Sequence, residues 1–477
     1  VKTHEIRHLI DGRWVGQPSA DRRNPARPND LVAVAAEGDA KTIAEAVAAA
    51  QHAQAAWAAT PSTVRGTLLT DTAAILLSHA EDVARDLTRE EGKTLTEARA
   101  EVRRAVDVLR FFGGEGWRLG GDQLPSSVPD TFVYTKREPL GVVGVITPWN
   151  FPIAIPAWKT APALVAGNTV VLKPAELTPV SGWHLAQALI EAGLPSGVLN
   201  VVHGRGEVVG EELVGHADVA AVSFTGSVTV GSRVHERVTA RRARVQLEMG
   251  GKNPVVVLDD ADPTRAARIV AAGAFGLTGQ ACTATSRVLC TPGIHDAFVA
   301  AISREAARYA PGDGLADGTV MGPVVSAQQL AIDRRYLHTA TTEGASIVTG
   351  GEEPDGLRQP AAVVVGVEPH HRIAQEEVFG PVVGVLRVDD LDSAIDVAND
   401  VPFGLAAAIV TSDLRAAHRF ADRVQAGVVK VNRPTSGLDL NVPFGGVKAS
   451  STNTFREQGS VAVDFWTWTK SVYMGVD

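Results

Sequence analysis

The stretch 141 GVVGVITPWNFPIAIPAWKTAPALVAGNTVVLKPAE 176 decides how the chain is read. Across its start, Pro139 to Trp158 runs 20 residues without a charge, the length of a membrane-spanning helix. Pro139, Pro148, Pro152 and Pro156 refuse that reading: each removes a backbone donor and clashes with the preceding turn, and Asn150 would sit unsatisfied near a bilayer centre. A strand, a rigid proline-bounded loop and the start of a helix fit instead, with a second β-branched run, 169 TVVLK 173, to follow. The alternation continues through 199 LNVVH 203, 219 VAAVSF 224 and 244 RVQLE 248. A second series holds 254 PVVVL 258, a helix from Asp262, 286 SRVLCT 291, 361 AAVVVGV 367, 382 VVGVLRV 388 and 427 GVVKVN 432. Such βαβ series predict mostly parallel sheets covered by helices, with ligands beyond the carboxyl ends of the strands. Residues 40 to 113 read as helices, one capped by Asp39 with Ile43, Val47, Ala50 and Trp57 on one face, another opened by Thr94. The fold class expected is α/β: two domains with a crevice between them.

Composition narrows the function. At roughly 100–200 residues per domain, 477 residues give ample chain for real cores. Lys+Arg 45 against Asp+Glu 54 leaves a net charge of −9, which argues against nucleic acid or an anionic membrane as partner. Cys282 and Cys290 are the only cysteines; they cannot form a disulfide framework, and no signal-peptide pattern opens the sequence. A reducing cytoplasm is the expected compartment.

Several motifs must be weighed. The run 4 HEIRH 8 formally matches a zinc protease pattern, but Asp11-Gly12 is a hairpin turn flanked by apolar residues. In a strand the two histidines would lie roughly 13 Å apart, so no metal site is expected. The turn 204 GRGEVVG 210 is one residue too long for the dinucleotide fingerprint; it is either a phosphate site or an ordinary strand-to-helix turn. At 224 FTGS 227, Gly226 and Ser227 could donate to a pyrophosphate or merely cap a helix. Lys173 and Glu176, in 173 KPAE 176, could hold ribose hydroxyls or form a solvent-facing ion pair. Glu176 should repel a 2′-phosphate, favouring NAD, while Arg205 could offset that repulsion and keep NADP open.

The chemistry centres on 279 GQACTA 284. Cys282 falls on a small-residue loop after the Asp262 helix, where a thiol is accessible and can present its own N–H beside its sulfur. Cys290 lies inside a strand and reads as a small hydrophobe. Glu248 ends a strand before Gly250 and Gly251, a position for a general base or a salt-bridged structural carboxylate. Asn150 could donate to an oxyanion or brace its turn.

Taken in order, 147 TPWNFP 152, 173 KPAE 176, 224 FTGS 227, 247 LEMGGKNP 254, 279 GQACTA 284, 376 EEVFGP 381 and 443 PFGG 446 resemble the aldehyde dehydrogenase superfamily over essentially the whole chain. The resemblance implies a Rossmann-type nucleotide-binding domain (1–118 and 139–250), a catalytic domain (251–450) and a β oligomerisation extension (119–138 and 460–477). It implies Cys282 as nucleophile, Glu248 as general base and Asn150, with the Cys282 N–H, as oxyanion donors, with Lys159 and Glu457 relaying the proton outward. It implies NAD or NADP as cofactor, held by Thr147, Pro148, Trp149, Lys173, Glu176, Gly206, Gly210, Phe224, Gly226, Ser227, Gly250, Glu377 and Phe379. Phe151 and Trp158 match positions lining the aldehyde tunnel, and 433 RPTSGLDLN 441 its mouth. The segment 432–459 is most similar to the branch acting on α-ketoglutaric semialdehyde (2,5-dioxopentanoate), whose carboxylate Arg433 or Ser436 could bind; a solvent-facing arginine is the plain alternative. The exposed alternation in 131 TFVYTKR 137 and the tail 463 VDFWTWTKSVYMG 475 imply a homodimer or homotetramer. A non-catalytic relative would not require Cys282, Glu248 and Asn150 together. A relative passing its acyl group to coenzyme A often lacks the glutamate that Glu248 supplies.

Overall fold

The computed structural model describes residues 2–475; Val1 and residues 476–477, at the ends of the outermost expected segments, lie outside the described residues. Two seven-stranded sheets organise the chain. In the first, the strands Arg244–Glu248, Ala221–Thr225, Val142–Ile146, Thr169–Lys173 and Leu199–Val201 lie side by side in that order and pair in parallel. The strands that come first and fourth in this βαβ series are therefore neighbours, and the winding reverses between them. Chains leave that gap in opposite directions, which opens a crevice at the carboxyl edge. The N-terminal hairpin His8–Ile10/Arg13–Val15 extends the far side through an antiparallel pairing, turning at Asp11 and Gly12, both with positive φ.

All five residues of Val142–Ile146 and of Thr169–Lys173 are buried. Helices cover both faces of a parallel sheet, so its inner strands read as continuous apolar runs rather than as alternations. On one face pack Ala154–Val165, Pro179–Glu191 and the helical hairpin Ser62–Ser78/Leu95–Glu115. On the other pack Ala40–Ala59 and Val228–Ala240. Capping boxes start two of these helices: the Asp39 carboxylate takes the Thr42 N–H at 2.9 Å, and Thr94 and Glu97 exchange side-chain and backbone bonds.

The second sheet runs Ser346–Thr349, Ala362–Val365, Val382–Arg387, Thr285–Cys290, Asn253–Val257, Ala406–Val410, Val428–Val431, parallel except for its first pair. Cys290 is fully buried in it, as expected of a small hydrophobe. A third, antiparallel sheet stands apart: Thr467–Gly475 pairs with Thr131–Pro139, which also holds the short Gln123–Leu124. The tail begins otherwise than expected, since Ala462–Trp466 is a short helix and only Thr467 onward is strand. Burial decides this: Val463, Phe465 and Trp466 turn into the first core, which an alternating strand would not allow. Among the described residues no helix is long and apolar enough to cross a membrane.

Candidate active site

The loop 147–153 leaves the sheet where its winding reverses, and a buried cation holds it. Lys93 Nζ donates to the Asn150 carbonyl and to Glu101, both at 2.6 Å. The other Glu101 oxygen accepts from the Ile153 and Ala154 amides at 3.1 and 3.2 Å, at the start of the helix Ala154–Val165. Breaking such a buried pair from one side costs about 3–5 kcal/mol, because it strands the other charge. Asn150, itself buried, donates from Nδ2 to the Gln280 carbonyl at 2.9 Å and so reaches the cysteine loop.

That loop is strained. After the helix Pro263–Phe275, Leu277, Thr278 and Gly279 all take positive φ (55°, 57° and 67°); two of the three are not glycine, at about 1–3 kcal/mol each. The strain persists because neighbours fix the loop. Glu97 accepts from the Leu277 amide at 2.7 Å, Gln280 Oε1 from the Val325 amide at 2.9 Å. Asn253 Nδ2 donates to the carbonyls of Cys282 and Ala284, both at 2.8 Å, while its Oδ1 accepts from Ala406 at 3.0 Å. Burial pushes the Cys282 thiol up to about 12; the Glu377 and Glu248 charges add to this and a hydrogen bond from the Thr283 amide opposes it. At neutral pH the resting group is a thiol.

Glu248 closes its strand and is fully buried. Burial first, then the Glu457 charge, hold its carboxyl well above the ordinary range, against Lys159, the Gly446 amide and Ser451. Ser451 Oγ donates to Oε1 at 3.2 Å, and Oε2 has no partner. Lys159 Nζ contacts Glu457 and donates to Ser223 Oγ at 2.7 Å. Two carboxyls and one ammonium thus share a buried space.

Two cavities meet at Cys282, which lines both. The first, about 310 Å³, is bounded by Pro148, Trp149, Gly226, Ser227, Glu377 and Phe379. The Glu377 carboxylate accepts from the Gly251 amide at 3.0 Å, and burial raises its pKa to about 7. A Cβ at Gly250 would overlap that carboxylate, and one at Gly226 would overlap the Phe224 ring, so a side chain at either position would displace a residue lining or adjoining the cavity. Phe379 takes φ 64° and sets its ring edge-on to Trp149, centroids 5.4 Å apart. Ser227 caps Val228–Ala240, leaving that helix's positive end at the crevice. Lys173 is buried, which lowers its amine, and Gly206 is the glycine whose added Cβ would meet Nζ, at 3.9 Å; Glu176 is exposed. No ion pair joins Lys173 to Glu176 among the described residues, so the surface-pair alternative does not hold. Gly206–Gly210 is a single wide helical turn after Arg205, and Arg205 pairs with Glu207 at 3.0 Å. Thr147 donates its amide to Lys173 at 3.2 Å, and its hydroxyl is buried without a partner. A buried lysine, a helix N-terminus and glycines that admit close approach, along one sheet edge, suit a dinucleotide. The second cavity, about 330 Å³, is mostly apolar and includes Phe151, Trp158 and Phe444.

The aldehyde dehydrogenase family profile matches residues 14–472. The chain belongs to the aldehyde dehydrogenase family. It is 47% identical over 481 residues to the α-ketoglutarate semialdehyde dehydrogenase of Haloferax volcanii, covering 99% of each. It is 45% identical to the α-ketoglutaric semialdehyde dehydrogenase of Bacillus subtilis, covering 98% of this chain and 97% of that protein. Among solved structures, betaine aldehyde dehydrogenase from Staphylococcus aureus in complex with NAD+ superposes with a TM-score of 0.95 at 34% identity, covering 98% of this chain and 95% of that one. An NADP-dependent enzyme of E. coli matches with the same score and identity over 99% and 98%. This aldehyde dehydrogenase is therefore an NAD(P)-dependent oxidoreductase acting on aldehydes.

One expected substrate residue is misplaced. Arg433 of the enzyme is exposed, donates only to the Asn432 carbonyl at 3.3 Å, and lines neither Cys282 cavity. Its neighbour Asn432 has positive φ; Ser436 does line the aldehyde-side cavity. The histidines of 4 HEIRH 8 lie in separate strands, His4 against Asp86 at 2.9 Å and His8 accepting from the His203 amide at 3.2 Å. Lys93, Glu101 and Asn253 were not anticipated. Asn253 sits within 247 LEMGGKNP 254, but its partners lie 29, 31 and 153 residues away.

Replacing Asn253 with Ala should lower kcat/KM about tenfold to a hundredfold by loosening the sulfur's position; an unchanged value would show that the brace is dispensable. Glu377→Gln removes a charge that raises the thiol. Alkylation of Cys282 by iodoacetamide at pH 8–9, without nucleotide, should accelerate about three- to tenfold as the thiolate fraction grows.

Proposed function

We propose that the enzyme oxidises a carboxylate-bearing semialdehyde, 2,5-dioxopentanoate, to the acid through a covalent Cys282 intermediate. The observation that carries the chemistry is that Cys282 alone lines both cavities, so an aldehyde entering one side meets its oxidant at the sulfur. The Cys282 proton passes to Glu248, whose free Oε2 and raised pKa suit it to accept and hold a proton. Sulfur then bonds to the aldehyde carbon, and the oxyanion takes hydrogen bonds from Asn150 Nδ2 and the Cys282 amide. Bound NAD(P)+ supplies the hydride acceptor. Glu248 hands its proton outward by way of Glu457 and Lys159 and, as a carboxylate, activates the water that cleaves the thioester.

The substrate rests on the two semialdehyde dehydrogenases that share 45–47% identity over nearly the full chain. A homodimer or homotetramer rests on the third sheet, whose Phe132, Trp468, Tyr473 and Met474 are exposed on long paired strands. We assign 119–138 and 467–475 to this extension, 2–118 with 139–250 to the nucleotide-binding domain, and 251–450 to the catalytic domain. The reduced cysteines suit the cytoplasm.

Cys282→Ala should abolish reduced-nicotinamide formation from 2,5-dioxopentanoate; undiminished turnover would overturn the mechanism. Glu248→Gln should cut steady-state turnover about 10²–10⁴-fold. Sedimentation at micromolar concentration should give a dimer or tetramer, and Tyr473→Glu should shift it toward smaller species.

A further inference from the structure

The helix Leu95–Glu115 presents Glu97, Glu101 and Arg104 at helical spacing along the wall of the aldehyde-side cavity. Both carboxylates are engaged: Glu97 accepts from Thr94 and Leu277, Glu101 from Lys93, Ile153 and Ala154. Arg104 differs. It is the one guanidinium lining this cavity, it is partly buried, and no carboxylate lies within ion-pair distance of it among the described residues. Its sole hydrogen bond is from Nη2 to Gln458 Oε1 at 2.5 Å, so most of its five donors have no protein acceptor. Burial lowers its pKa, with Asp107 and Asp439 favouring the charge from further off.

The partner is itself unusual. Gln458 is fully buried, holds φ 60°, and leaves Nε2 without an acceptor. Strain of this kind at a non-glycine residue survives only where surroundings over-determine it, and here it directs an amide oxygen at Arg104. Trp158, on the wall of the same cavity and 9% exposed, has an indole N–H with no acceptor. The rest of the lining is largely apolar: Phe151, Ala154, Leu277, Leu438 and Phe444. An unpaired guanidinium in an apolar wall is costly unless a ligand supplies its anion.

We infer that Arg104, held by Gln458, binds the carboxylate of the aldehyde substrate and is the residue that selects ω-oxo acids over neutral aldehydes. The inference rests on the semialdehyde reading above and moves the acid-recognising group from the loop 433–441 to the helix Leu95–Glu115. The aldehyde end then lies at Cys282 and the acid end at the guanidinium, with the Trp158 N–H as a further donor on the same wall.

The test is the ratio of kcat/KM for 2,5-dioxopentanoate to kcat/KM for pentanal, which has the same chain length and no charge. In Arg104→Met the ratio should fall about 100-fold, chiefly through KM for the acid, as expected when one partner of a partly buried charge pair is removed. Arg104→Lys should restore part of it. A general loss of packing lowers both rates and leaves the ratio alone; a melting curve checks the fold, and Arg104→Gln serves should the Met variant not fold. An unchanged ratio in a folded variant, when the wild-type enzyme prefers the acid, overturns the Arg104 assignment alone. A wild-type enzyme that prefers pentanal overturns the semialdehyde reading itself.

Discussion

The buried Lys93 ammonium, closed between Glu101 and the Asn150 carbonyl, is the interaction on which the site depends. Glu101 sits on the helix Leu95–Glu115, and that helix works as a ruler. One turn earlier, Glu97 grips the strained loop that carries Cys282; at Glu101 the helix grips the Asn150 loop; one turn later, Arg104 faces the aldehyde-side cavity. Three functions of the site are thus spaced by 3.6 residues per turn along a single rigid element. The cost of burying Lys93 is offset only while its partners stay in place, so Asn150 cannot drift relative to the helix without taking an acceptor from a buried ammonium.

Desolvation is the second organising force. The same burial that lifts Cys282 to about 12 holds Glu248 well above its ordinary range and brings Glu377 to about 7. Each group alone would be a poor reagent at neutral pH. Together they hold protons within the site: the Cys282 group rests as a thiol, and Glu248 shares its buried space with Glu457 and Lys159, the route proposed above for passing a proton on. An exposed thiolate would be more reactive and far less selective.

The parallel strands of the first sheet were legible in the sequence, though not their order, because they are buried on both faces and read as unbroken β-branched runs between helical ones. Cys282, Glu248 and Asn150 could be singled out because each follows a local signal: a small-residue loop, a strand end before paired glycines, a proline-bounded turn. What was not legible depends on contacts across long stretches of chain. Asn253 braces residues that no local pattern links to it, and Lys93 finds Asn150 across 57 residues. Arg433 misled for the same reason. A charged residue in a segment near the tunnel mouth looks like a ligand-binding group, yet Arg433 faces solvent while Ser436, three residues on, lines the cavity. Arg104 lay unnoticed in a helical run rich in charges, where an arginine ordinarily faces solvent.

In the proposed arrangement the chemistry sits on loops and the acid-recognising group on a helix, and the two are held by different contacts. The Cys282 and Asn150 loops are tied to each other through Gln280 and to the helix through Glu97 and Glu101, so any change there disturbs the placement of both loops together. Arg104 shares the helix, but among the described residues its side chain makes one hydrogen bond, to Gln458. A substitution at that position alters the charge of the far end of the cavity while leaving the hydrogen bonds of Glu97 and Glu101 intact. On the proposed reading, substrate choice is therefore separable from catalysis at this turn of the helix, and not at Glu97 or Glu101, whose hydrogen bonds hold the Cys282 and Asn150 loops.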